Sequence, residues 1–155
     1  YVPVMLAGIY QARALPVGAY LVWLIFLCSW GCDTCAYCVG VRIGKHKMTP
    51  KLSPKKSIEG AVGGCVGAAL LTLLYGFLFQ EGMKLSNGEV FLLAGIAVAG
   101  AAISMVGDLA ASAIKRNYGI KDYGKLIPGH GGVLDRFDSV IFTAPVIYYL
   151  GKYLM

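Results

Sequence analysis

The sequence predicts an all-α fold, a multi-pass transmembrane helix bundle with about four spans and two long polar loops. Three observations carry this expectation. Apolar residues make up 57% of the chain and charged residues only 14%, against roughly 25% charged in an ordinary globular protein. The charges are also segregated: residues 14–32, 60–80 and 90–107 contain no Asp, Glu, Lys or Arg, and residues 139–155 contain only Lys152. Each run is near the roughly 17 to 25 residues a helix needs to cross the hydrocarbon. Finally, there are 21 glycines, a residue commoner in transmembrane helices than in soluble ones. One such run would suit a buried helix of a soluble protein, but four in one short chain do not.

Taken in order, Tyr1 to Gln11 reads as the tail of another apolar segment, and no run has the position or flank of a signal peptide. The chain is therefore expected to be the C-terminal part of a longer membrane protein, or a processed product, with residues 1–155 forming one integral-membrane domain. The first span is expected near 14–32, the second near 60–80, the third near 90–107 and the fourth near 139–155. Lys152 sits close enough to the end of the last to snorkel into the headgroups.

The lysines orient this array. The loop 33–59 holds Arg42, Lys45, Lys47, Lys51, Lys55 and Lys56, and the loop 108–138 holds Lys115, Arg116, Lys121, Lys125 and Arg136. The connection between the second and third spans, 81–89, has only Lys84. Alternate loops share a side, so the bias of basic residues puts both long loops in the cytoplasm; the expected location, a bacterial plasma membrane, does not come from that bias. Orientation and contact with anionic headgroups would explain the lysines alone. They do not explain Asp33, Glu59, Asp108, Asp122, Asp135 and Asp138 on the same face.

Asp108 closes an otherwise uncharged run, and a charge there costs roughly 2.5 to 3.5 kcal/mol at a helix centre, less near the interface. Such a residue usually lines a polar cavity and has a partner. Lys115 lies two helical turns further on, followed by Arg116. Asp135 and Asp138, spaced i and i+3, share one face at the mouth of the last span. Helix capping is an alternative for these two, but three aspartates beside several cations suit a divalent ion such as Mg²⁺, with room for a second cation. Gly129, Gly131 and Gly132 flank His130 in a loop whose N–H groups can approach an anion.

In the first loop, Ser53, Lys55, Lys56, Ser57 and Glu59 put hydroxyls, cations and an acid just before the second span. Ser57 is equally suited to cap that helix. Gly40-Val41-Arg42-Ile43-Gly44-Lys45 is no Walker A motif, because one residue is missing between the glycines and His46 replaces the Ser or Thr. Cys28, Cys32, Cys35 and Cys38 lack the spacing and distant partner pair of a zinc or iron–sulfur site. They read as small packing thiols.

Ser112-Ala113-Ile114-Lys115-Arg116, Lys121-Asp122-Tyr123-Gly124 and Ile127-Pro128-Gly129-His130-Gly131-Gly132-Val133-Leu134-Asp135-Arg136-Phe137-Asp138 together resemble the signature of the phosphatidate cytidylyltransferase (CDP-diacylglycerol synthase) family, without departure. Asp33-Thr34-Cys35-Ala36-Tyr37, Gly44-Lys45-His46-Lys47 and the segment from Ser53 to Gly60 resemble that family's first cytoplasmic loop. The resemblance implies transfer of a cytidylyl group from CTP to phosphatidate, giving CDP-diacylglycerol and pyrophosphate, by a Mg²⁺-dependent enzyme. It implies a cation site at Asp108, Asp135 and Asp138, with Lys115, Arg116, Lys121, Asp122, His130 and Arg136 completing the catalytic set. Ser53, Lys55, Lys56, Ser57, Glu59, Gly131 and Gly132 would bind substrate. The partners implied are CTP, phosphatidate and membrane lipids, with a homodimer allowed and nucleic acid not expected. Family members are longer at the N-terminus. The rivals are a CTP-dependent polyprenol or phytol kinase, a membrane transporter, and an inactive remnant.

Overall fold

The computed structural model describes residues 2–49, 52–120, 123–124 and 132–154. It is built almost wholly of helices: α1 (Val2–Arg13), α2 (Gly18–Phe26), α3 (Cys32–Ile43), α4 (Ile58–Leu78), α5 (Gln80–Met83), α6 (Asn87–Asn117) and α7 (Leu134–Leu154). A π-helical turn over Leu27–Gly31 joins α2 to α3 without a break, so residues 18–43 form one long rod. The described strands are β1 (Lys47–Thr49) and β2 (Ser53–Ser57), an antiparallel hairpin pairing Lys47 with Ser57 and Thr49 with Ser53.

Local chemistry sets the helix ends. Ser57 accepts the Gly60 N–H at 3.1 Å and starts α4, and α6 opens with a capping box in which Ser86 and Glu89 exchange hydrogen bonds. Between them α5 stops where Lys84 turns left-handed at φ 55°. In α7, Pro145 lacks an N–H, and Gly8 of α1 packs there so closely that a Cβ would stand 2.9 Å from the Pro145 nitrogen.

Packing in α4 is the reverse of that in a soluble amphipathic helix. Gly60, Gly64, Ala68, Thr72 and Gly76 form its buried stripe, whereas Val62, Val66, Leu70 and Leu74 are exposed. Small residues let helix backbones approach, and large apolar residues facing outward suit lipid rather than water. The main core gathers Leu21, Leu24, Ile25, Cys28, Leu93, Ile96, Val140, Ala144 and Ile147 from the first rod, α6 and α7.

Three described helical segments are long and apolar enough to cross a membrane: Gly18–Ile43, Ile58–Leu78 and Asn87–Asn117. The fourth expected span, near 139–155, falls on the part of α7 that follows its charged first turn; α7 carries more polar residues than α4 and is not one of these three. Two expected loops begin later than their first charge. Residues 33–43 continue the first rod, and residues 108–117 complete α6. Asp33 and Asp108 face a cavity rather than lipid, so their charge does not end either helix. None of the cysteines forms a disulfide; Cys28 and Cys32 are buried as packing thiols, whereas Cys35 is half-buried and Cys38 is exposed, so packing does not explain Cys38.

The α3–α4 contact is tight at Gly64, where a Cβ would lie 2.9 Å from Cys32 Sγ and 3.0 Å from Ala36 Cβ. Gly64→Val is therefore expected to destabilise the protein by about 1 to 3 kcal/mol, the usual effect of overpacking. Val66→Ala, on the exposed face, should change stability far less. Unfolding midpoints in one detergent would check this, and equal midpoints for the two variants would contradict it.

Candidate active site

The charged residues that interrupt the apolar pattern meet at one end of the bundle. There α3, the hairpin, the start of α4, the last turns of α6 and the first turn of α7 surround a cavity of about 870 Å³. Its polar wall includes Asp33, Lys56, Asp108, Lys115, Asp135, Arg136 and Asp138, and its apolar wall includes Ala36, Tyr37, Val41, Met48 and Met105.

Two ion pairs organise the polar wall. Lys56, delivered by β2, pairs with Asp108 of α6. Lys115 of α6 donates to Asp135 Oδ1 at 2.9 Å and lies 3.7 Å from Asp138 Oδ2, both on α7. Lys115 also sits over the Tyr123 ring, 5.2 Å from its centre. Asp135 is thoroughly engaged, for its second oxygen accepts the N–H groups of Tyr123 and Gly132, each at 2.9 Å. Burial alone would raise its pKa, but Lys115 and these two N–H groups outweigh that and hold the carboxyl below its ordinary value.

Asp138 has the opposite balance. It lies ahead of the apolar run 139–155, and burial followed by repulsion from Asp108 pushes its carboxyl up to about 6. Its Oδ1 accepts the Ser139 N–H at 2.8 Å. The Ser139 hydroxyl stands 2.6 Å from that of Ser29 and donates to Asp33 Oδ2 at 3.4 Å. The π-helical turn contributes a second tie, since Trp30 Nε1 donates to the Arg136 carbonyl at 3.0 Å. A π turn adds a residue to the helix and rotates the next helical segment about the axis, a device common at functional sites.

Several sequence-predicted site residues therefore meet. Asp108, Asp135, Asp138, Lys115 and Arg136 line the cavity, as do Ser53, Lys56 and Ser57. Gly132 serves the site through its N–H to Asp135. Arg116 is exposed at the end of α6 and is not part of the lining. Glu59 turns instead to His46. Lys121, Asp122, His130 and Gly131, with the side chain of Lys55, lie outside the described residues. Asp33 is the addition: the sequence placed it on the right face, but its position next to an uncharged run, the feature that singled out Asp108, was its unused signal.

Among the described residues, no three acidic, imidazole or thiol groups stand close enough together to close round one ion. The donor chemistry nonetheless suits a hard cation. Asp108 and Asp138 are carboxylates that face the same cavity beside ammonium groups.

Comparison with known proteins shows the family. The model of the cytidylyltransferase family matches residues 1–154. The chain belongs to the cytidylyltransferase family. It is similar to the phosphatidate cytidylyltransferase of Rickettsia bellii, 37% identical over 157 residues, covering 99% of this chain and 67% of that protein. The phosphatidate cytidylyltransferase of Synechocystis is 41% identical over 134 residues, covering 86% of this chain and 44% of the relative. That of Staphylococcus aureus is 39% identical over 150 residues, covering 97% and 55%. The chain thus spans 44% to 67% of the length of these cytidylyltransferase relatives.

Lys115 is the shared counter-charge of two carboxylates that are themselves largely buried. Lys115→Met is expected to lower the unfolding free energy by about 3 kcal/mol, because it strands paired carboxylates away from water. Lys115→Arg should retain most of that stability. Chemical denaturation in detergent measures both, and a loss under about 1 kcal/mol for the methionine variant would show that the pair does not hold this end together.

Proposed function

We propose that this chain carries the catalytic end of an enzyme that transfers a cytidylyl group from CTP to phosphatidate, giving CDP-diacylglycerol and pyrophosphate. The observation that carries the reading is the charged cavity at the end of a lipid-facing bundle, with lysines delivered from two separate segments. Both substrates are anions, so the barrier is largely electrostatic and positional. A phosphate oxygen of phosphatidate attacks the α-phosphorus of CTP, and the bond from that phosphorus to the β-phosphate bridging oxygen breaks. The lipid phosphate is already a nucleophile at neutral pH and needs no strong base.

Lys56, Lys115 and Arg136 line the cavity, where they would meet phosphate oxygens; Lys121, assigned to the triphosphate in the same proposal, lies outside the described residues. Ser53 and Ser57 add hydroxyls from the hairpin side. The apolar wall, with Tyr37, Val41 and Met48, suits the lipid part of phosphatidate. In this proposal Asp108 and Asp135 would hold Mg²⁺, with Asp138 supporting them or holding a second cation; phosphate oxygens of the substrate would complete the shell that these carboxylates alone do not close. When bound, such cations neutralise charge on the triphosphate. In the same proposal this end faces the cytoplasm, as the basic residues of the loops favour, and the membrane is a bacterial plasma membrane.

Asp108→Asn keeps the size of the side chain and removes its charge. Phosphatidate-dependent formation of CDP-diacylglycerol is expected to fall by at least about 100-fold, the scale of losing one electrostatic group in a water-poor site. Turnover within a few-fold of the unaltered protein would refute the role assigned to this carboxylate.

A further inference from the structure

Glu59 looks from the sequence like a pocket residue, yet neither Glu59 nor His46 lines the cavity, although Ser57 and Gly60 on either side do. Its carboxylate is committed elsewhere. Both oxygens accept the His46 backbone N–H at 3.2 Å, and Oε1 lies 2.6 Å from His46 Nδ1. The Ile58 N–H donates to the His46 carbonyl at 3.0 Å. His46 precedes β1, while Ile58 and Glu59 come after β2, so these bonds close the base of the hairpin. Gly44 fastens the same base from the α3 side, where a Cβ would stand 2.5 Å from Ser57 Oγ.

A hairpin of three- and five-residue strands has little stability of its own, and its register is irregular between Lys47 and Thr49. Its aim must come from the base. Lys56 stands two residues before the clamp and reaches across the cavity to Asp108.

We propose that Glu59 is a positioning residue: through His46 it fixes the base of the hairpin, and so the place at which Lys56 meets Asp108 and an anionic substrate. The substrate part rests on the cytidylyl-transfer reading, whereas the clamp itself does not.

Two conservative variants separate shape from charge. Glu59→Asp keeps the charge at the start of α4 but shortens the reach to His46. Glu59→Gln keeps the reach and an oxygen for the His46 N–H. In lipid nanodiscs, Glu59→Asp is expected to speed hydrogen exchange at His46 and the hairpin amides by about tenfold, the scale of losing hydrogen bonds to a charged group. Glu59→Gln should recover most of the protection, and α6 should exchange as before in both.

With CTP and phosphatidate, Glu59→Asp should lower kcat, and combining it with Lys56→Ala should cost no more than Lys56→Ala alone. Unchanged hairpin exchange in Glu59→Asp, or losses that multiply in the double variant, would overturn the proposal. If the unaltered protein transfers no cytidylyl group, the reaction assignment fails while the exchange result still decides the clamp.

Discussion

The ammonium group of Lys115 is the point on which the polar end of the bundle depends. It sits between Asp135 and Asp138, so one cation ties the end of α6 to the start of α7. Asp135 passes the constraint on, since its second oxygen takes the N–H groups of Tyr123 and Gly132 and pins both flanks of the connection. Charges held near an apolar bundle must be matched in this way, because an unpaired one is strongly unfavourable. Lys56 and Asp108 repeat the device between the hairpin and α6. The same charges that secure the fold are those a polyanionic ligand would meet.

The helices that carry this polar end pack closely, with Gly60 and Gly64 of α4 against α3. Glycine, alanine and threonine along α4 let α3 and α6 come near, while the larger valines and leucines face outward. The first rod, the hairpin and α7 line the cavity, and Ser29 and Trp30 of the π-helical turn, with Asp33 just after it, bond to the start of α7. Close packing below and paired charges above are two halves of one design.

Much of this was legible in the sequence because membrane helices write themselves in charge-free runs. The all-helical bundle and the polar face shared by Lys56, Asp108, Lys115, Asp135 and Asp138 come from that pattern and from the C-terminal motif. Span boundaries were less legible. The end of an uncharged run at Asp33 or Asp108 suggests the end of a helix, yet an inward-facing carboxylate leaves the backbone helical. Asp33 went unassigned for the same reason, since nothing local shows which way it faces. Glu59 was also less legible, because a carboxylate among lysines reads as a ligand group, while its bond to His46 spans a hairpin that periodicity does not reveal.

The reading of the site as a cytidylyl-transfer centre is reached most directly by tracking the phosphorus atoms of CTP. With phosphatidate and Mg²⁺ present, label in the α-phosphate is expected to enter the lipid, and label in the γ-phosphate to leave as pyrophosphate. Entry of the γ-label into lipid, with release of CDP, would contradict it and assign phosphoryl transfer to the same cavity.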